Sequence, residues 1–241
     1  MKFNVEGIVI RQSPYKEKDA MISALTPDGI VSFLARSVLS VSSRNRSCCL
    51  PFSYAQFTLN AKGDKLSLVQ GKCIKAYPHF YESLEKLSSV NLINEAIVKF
   101  VDEDNAEIFP YVKNYLELLD RGFDETTLTA ILLAQIVKHS GYDLEYSACV
   151  RCRGKTGIIG VSYAEGGFIC RDCADPSTER RSENYLKTFR YVFMVPSDKL
   201  AHHVIDGAIA LTLIKELCDF LSDSFGFREI KSLEMYRLTH S

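Results

Sequence analysis

Through residues 1–78 the apolar positions recur at short intervals broken by turn residues, the spacing of strands and not of helices. Val5, Ile8 and Ile10 alternate loosely with polar neighbours. Met21–Thr26 (MISALT) and Ile30–Ala35 (IVSFLA) flank the turn signal Pro27-Asp28-Gly29, which predicts a hairpin. Phe52–Leu59 (FSYAQFTL) and Leu66–Val69 flank Lys62-Gly63-Asp64, a second hairpin, and Cys73–Tyr77 ends the last strand. About five short strands joined by turns predict a small closed barrel. The OB-fold is the five-stranded barrel used on single-stranded nucleic acid.

From Phe80 the period lengthens. Leu84, Leu87, Val90 and Ile93 fall at helical spacing, and Ile97, Val98 and Val101 continue that face. Asp102-Glu103-Asp104-Asn105 is an acidic break, after which Ile108–Leu119 predicts another amphipathic helix. Asp124 is placed to cap a third, Glu125–His139, and Gly141 stands where a left-handed C-terminal stop is expected. Helical spacing resumes after Pro176 with Tyr185, Leu186, Phe189 and Val192, then Ile205–Phe225 and Ser232–Leu238. The stretch Ala208–Leu221 is apolar almost all round, which predicts the buried central helix. The expected class is α+β in several domains. A barrel occupies 1–78, a helical domain 79–147 and 176–241, and a cysteine-bearing insertion 148–175.

That insertion changes the picture most. Cys149 and Cys152 (CVRC) and Cys170 and Cys173 (CRDC) form two pairs, each with a two-residue spacer. Such a spacer lets one tight turn aim both thiolates at a single ion, and two turns complete a tetrahedral Zn²⁺ shell. Arg153-Gly154 supplies turn chemistry after the first pair. Two redox pairs are the rival reading, but neither pair follows a strand within a βαβ unit. Four thiolates leave no open coordination position, so the expected Zn²⁺ is structural and not catalytic. Cys48, Cys49, Cys73 and Cys218 show no such pairing and read as small buried apolar residues.

Charge separates the ends of the chain. Residues 1–78 hold 11 Lys and Arg against 5 Asp and Glu, whereas the remainder holds 18 against 25. A basic head on an acidic body points the head at a polyanion. The candidate phosphate contacts are Arg11, Lys16, Lys18, Arg36, Arg44 and Arg46 on the barrel, with Arg151, Arg153, Lys155 and Arg171 around the metal. Solvated surface charge is the plain alternative for the last four, and a solvated linker for the serine-rich run 36–46. Tyr54 and Phe57 can stack bases, but on an alternating strand an aromatic is more often core. The five histidines, His79, His139, His202, His203 and His240, fall in no nucleophile or metal motif. No GxSxG, P-loop or GxGxxG occurs, so catalysis is not expected. The N-terminus lacks a signal-type apolar stretch and no run reaches the length of a membrane helix, which predicts a cytoplasmic protein, nucleoid-associated if the basic head meets DNA.

Three strings carry a family likeness: EGIVIRQSPYKEKDAMISALTPDGIVSFLARS with LPFSYAQFTL and GDKLSLVQG, then HSGYDLEYSACVRC, then GFREIKSLEMYRL. They resemble the RecO family of recombination mediators over nearly the whole chain. The resemblance implies an OB barrel, a helical domain and a zinc-ribbon-like insertion. It implies binding of single- and double-stranded DNA and strand annealing. It also implies contact with the acidic C-terminal tail of the single-strand-binding protein and, with RecR, loading of RecA. Two departures stand out. The loop SVLSVSSRNR is poor in cations beside the family pattern, which predicts a shallower salt dependence. The run TLTAILLAQIVKHSGY holds few cations, so no residue is assigned to the acidic tail. The alternative class is a zinc-ribbon adaptor that binds proteins and not DNA.

Overall fold

The computed structural model describes residues 1–142, 144–226 and 229–240. Asp143, Phe227 and Arg228, which belong to two of the strings above, lie outside the described residues, as does Ser241. The chain divides into two compact units. One is Met1–Leu84 with Val101–Arg121, and the other is Glu85–Phe100 with Gly122–Ser241.

The first unit is built on a closed barrel of β1 (Lys2–Tyr15), β2 (Asp19–Thr26), β3 (Gly29–Ala35), β4 (Tyr54–Lys62) and β5 (Lys65–Lys75). The order around it is β1-β2-β3-β5-β4, with β4 returning to β1. All neighbours are antiparallel except β3 and β5, which close the barrel in parallel at Leu34 and Ser67. A register shift between Val9 and Arg11 explains why Ile8, Val9 and Ile10 are all buried, where strict alternation predicted otherwise. Phe33 and Phe57 meet at 5.0 Å inside the barrel, so Phe57 is core and not a stacking platform. Tyr54 is likewise buried, its hydroxyl donating to Glu6 Oε2 at 2.7 Å.

The run 36–53 is not a free linker. Val38, Cys48 and Cys49 enter the barrel core, the cysteines on a single 3-10 turn, Ser47–Cys49. Cys48 Sγ donates to the Asn45 carbonyl at 3.0 Å, and Asn45 Oδ1 accepts the Gly71 amide at 3.0 Å. The small-apolar reading of these two cysteines therefore agrees with their placement.

Helix α2 (Phe109–Asp120) belongs to this unit and not with the other helices, unlike the chain-order expectation. Tyr54 and Phe109 rings stand 6.4 Å apart, and Lys113 Nζ lies 4.9 Å over the Tyr54 ring. The acidic break is docked too: the Ile30 amide donates to the Glu103 carbonyl at 2.7 Å. Gly29 there has φ +110°, and a Cβ would stand 2.3 Å from that carbonyl oxygen.

The second unit holds α1 (Leu84–Phe100, from Glu85 on), α3 (Glu125–His139), α4 (Glu183–Met194), α5 (Gly207–Ser224) and α6 (Ser232–Thr239), with the hairpin β6 (Ile158–Ser162) and β7 (Gly167–Cys170). Asp124 caps α3 as expected, accepting the Thr127 amide at 2.7 Å, and Gly141 stops it at φ +85°. The central helix is α3 and not α5. Every residue from Thr127 to Val137 is buried, whereas Lys215, Asp219 and Asp223 put an exposed charged face on α5. The absence of charge between Thr126 and Val137 is the reason. Ser182 and Asp206 cap α4 and α5 by accepting the amides of Tyr185 and Ile209.

Candidate metal centre and nucleic-acid interface

Two knuckle turns bracket the β6–β7 hairpin. In the first, the Cys149 amide donates to the Gly154 carbonyl and the Arg153 amide to the Cys149 carbonyl, each at 2.8 Å. This closure drives Arg153 to φ +63°, a left-handed residue within the turn expected at Arg153-Gly154. In the second, the Cys173 amide donates to the Cys170 carbonyl at 3.2 Å. The Val150 amide donates to the Phe168 carbonyl at 2.9 Å and sets one turn beside the other.

The result brings all four thiols within 4.8 Å of one another. Cys152 and Cys170 sulfurs are 3.6 Å apart, close to the edge of about 3.8 Å that four ligands at about 2.3 Å from one ion define. Backbone amides already point at sulfur: Gly154 toward Cys152 and Cys170 toward Cys149, both at 3.4 Å. Burial raises the Cys149 thiol, but the amides of Cys152, Cys170 and Arg151 outweigh it and bring it down to about 6. A thiolate is the form a metal takes. The cluster is therefore competent to hold a metal ion, and an all-sulfur set favours a soft or borderline one.

Arg151 differs from the expectation of a free cation. Its Nε and Nη2 donate to Glu165 at 2.7 and 2.6 Å, Nη2 also to Asp175 at 2.7 Å, and Nη1 to the Cys173 carbonyl. The guanidinium sits between the first cysteine pair and the carbonyl of the last cysteine, a clamp across the centre. Arg153 is likewise engaged, by Glu145 at 2.9 Å. Both guanidiniums are thus paired with carboxylates, Arg151 on two of them and the more exposed Arg153 on one. Lys155 and Arg171 are exposed and have no ion-pair partner among the described residues.

On the barrel, a groove of about 720 Å³ runs over β2, β3 and the β4–β5 turn. Tyr15, Met21 and Leu34 give it apolar walls, and Arg36, Lys62 and Lys65 against the single carboxylate of Asp64 leave it net positive. The loops on either side are β1–β2 and β4–β5, the two an OB barrel uses around its binding face. Lys16, at φ +60°, lays its Nζ 5.5 Å from the exposed Tyr15 ring. Lys18 and Arg36 are drawn together by two bonds, the Ser37 amide to the Asp19 carboxylate Oδ1 at 2.7 Å and the Leu39 amide to the Lys18 carbonyl at 3.0 Å. Arg11 pairs across to Ser23, whose hydroxyl meets Ser32 of the groove at 2.9 Å, so it shares the same outer face. Arg44 and Arg46 stand elsewhere. Their loop is tied through Asn45 to Gly71, about 20 Å along β5 from Lys65 at the strand rise. In the sequence Lys62 and Lys65 belong to the second hairpin turn alone; their position on the fourth-to-fifth strand connection of a predicted OB barrel is what marks them as candidates.

Comparison with known proteins agrees with this geometry. Residues 1–77 match the family described as Recombination protein O N terminal, and residues 81–233 match Recombination protein O C terminal. The chain is 25% identical over 198 residues to a DNA repair protein RecO of Halalkalibacterium halodurans, covering 80% of this chain and 78% of that one. It is 26% identical to the one of Bacillus subtilis, over 73% of this chain and 70% of the relative. With that of Dehalococcoides mccartyi it shares 28% over 79% and 78%. Matched over residues 1–77 and 81–233 by the two family models, this chain belongs to the RecO family of DNA repair and recombination proteins.

Proposed function

We propose that the chain is a non-enzymatic recombination mediator that grips single- and double-stranded DNA through the outer face of its barrel. The observation that carries this reading is the groove between the β1–β2 and β4–β5 loops, where apolar walls meet Arg36, Lys62 and Lys65. Arg11, Lys16 and Lys18 extend the same positive face. Arg44 and Arg46 give a second, outlying contact to the sugar–phosphate chain. Contacts of this kind neutralise phosphate and leave base edges free, so two held strands can pair, which is annealing. In this reading residues 1–78 bind DNA, 79–147 and 176–241 form the helical body except for Val101–Arg121, which belongs to the barrel's unit, and 148–175 is a Zn²⁺-held insertion. Zn²⁺ would be held by Cys149, Cys152, Cys170 and Cys173. When bound it supplies a structural cross-link and no reaction chemistry. RecR, the acidic tail of the single-strand-binding protein and, through them, RecA are the partners the family membership suggests.

The adaptor reading keeps support at one place. The carboxylates on Arg151 and Arg153 make the insertion a poorer phosphate surface than the barrel. We assign only Lys155 and Arg171 there to DNA.

The test is fluorescence anisotropy of a labelled oligo-dT across a salt series. The six cations on the groove face contribute up to about −4 to the slope of log affinity against log salt, at about 0.7 for each phosphate, and the outlying cations add to it. Lys62→Ala with Lys65→Ala should flatten that slope by about 1.4. Salt-independent binding, or a slope indifferent to both lysines, refutes the groove.

A further inference from the structure

The helical unit contains a second concave site, distinct from the barrel groove and from the thiols. A cavity of about 890 Å³ opens between the β6–β7 turn (residues 163–166) and the outer face of α5. Three aromatic rings line it: Tyr142, Tyr163 and Phe220. Tyr142 stands edge-on to Phe220 at 6.4 Å and 89°, and Tyr163 is tilted against Phe220 at 5.8 Å and 42°. The Tyr142 hydroxyl is held by the Ser224 carbonyl at 2.8 Å, which fixes that ring against the end of α5.

The charge of the lining is one-sided, with five carboxylates against two cations. Arg181 is spent between Glu179 and Glu216, and Lys215 bonds Asp219 at 2.8 Å. Glu165 is taken by Arg151 from behind. Among the described residues Asp223 has no cationic partner, and it sits one helical turn from both Asp219 and Phe220. Negative charge therefore gathers beside the rings. Aromatic faces and a carboxylate with no cationic partner among the described residues together recognise a guanidinium or ammonium group. The same field repels nucleic acid and acidic peptides.

We propose that this cleft is a docking site for a basic segment of a partner protein, which seats an arginine or lysine among Tyr142, Tyr163 and Phe220 with Asp223 as its counter-charge. The volume falls in the range of ligand pockets, enough for a few side chains and not for a folded surface. The wall that carries Tyr163 and Glu165 is the turn of the cysteine-bearing hairpin, so the insertion gains a role of its own in presenting this cleft. Nothing in the proposal requires the barrel to bind DNA.

The test is an NMR titration of the purified full chain with acetyl-Arg-Lys-Arg-amide, and with acetyl-Glu-Glu-Glu-amide as the control. Ring signals of Tyr142 and Phe220 should shift with the basic peptide and stay still with the acidic one. Asp223→Asn and Tyr142→Ala should each weaken binding by about fivefold, whereas Tyr142→Phe, which keeps the ring, should weaken it far less. Circular dichroism and oligo-dT binding of each variant report folding and the barrel site separately. Still rings under the basic peptide, or equal affinity in Asp223→Asn, overturn the proposal. So does ultracentrifugation that finds the cleft closed by a second copy of the chain.

Discussion

Gly71→Ala is the sharpest probe of how the barrel is plugged. A Cβ at this position would stand 2.1 Å from Cys48 Sγ, 3.3 Å from Cys48 Cβ and 3.7 Å from Phe57 Cδ1. The first distance is far inside van der Waals contact, and Cys48 is only 1% exposed. Relief requires Cys48 to turn away from the Asn45 carbonyl, or β5 to move and strain the bond from its Gly71 amide to Asn45. Overpacking of this kind costs about 1–3 kcal/mol, and losing a partner of one such bond adds about 1 kcal/mol. Gly71→Ala should therefore destabilise the barrel by about 2–4 kcal/mol in urea unfolding. Cys48→Ala removes the offending sulfur and leaves the nearest approach at 3.3 Å. The double variant should then recover about 1–2 kcal/mol beyond additivity. Because the same turn carries Arg44 and Arg46, the single variant should also change oligo-dT affinity while the groove lysines are intact. Additive effects in the cycle, or a Gly71→Ala protein as stable as the parent, would refute the plug.

Three further outcomes are expected. Cys149→Ser should lose bound zinc by elemental analysis and lower the melting temperature, while the barrel's share of DNA binding survives; retention of metal would count against the four-thiol shell. Arg151→Gln should leave the cysteines intact but release zinc faster to a chelator, because the clamp on Glu165, Asp175 and the Cys173 carbonyl is gone. The pH series turns on Glu95. Burial alone would raise its carboxyl, but Lys99, the Ser232 hydroxyl and the amides of Ser232 and Lys231 hold it down at about 2. A carboxyl depressed on folding stabilises fully above its unfolded value and loses that contribution as pH falls toward the folded one. Unfolding should thus become easier from about pH 4.5 down to about 2. Glu95→Gln should flatten this window, and an unchanged acid profile would exclude Glu95 as its source.

Local chemistry made some elements readable from the chain. Two hairpin signals, the Asp124 cap with Gly141, and the paired cysteines each act within a few residues, and each stands where the pattern put it. What escaped depends on residues far apart in sequence. The pairing of Arg151 with Glu165 and Asp175 exists only once the hairpin folds back, so the guanidinium read as free charge. The burial of Val38 comes from barrel closure, which seats part of the serine-rich run 36–46 in the core where the sequence offers a phosphate-tracking loop or a solvated linker. Helix α3 is buried in place of α5: apolar content alone does not register the charged face of Lys215, Asp219 and Asp223. Lys62 and Lys65 lay in plain view, but their value depends on which barrel loops flank the groove.

The docking of Val101–Arg121 beside strands that end at Lys75 bears on how the protein is made. A nascent chain cannot complete its first unit when β5 leaves the ribosome. It must wait until the next unit's opening helix has also been synthesised, with Tyr54 still lacking its Phe109 neighbour and the β2–β3 turn still lacking Glu103. An expression fragment cut after the last strand would reproduce that unfinished state permanently.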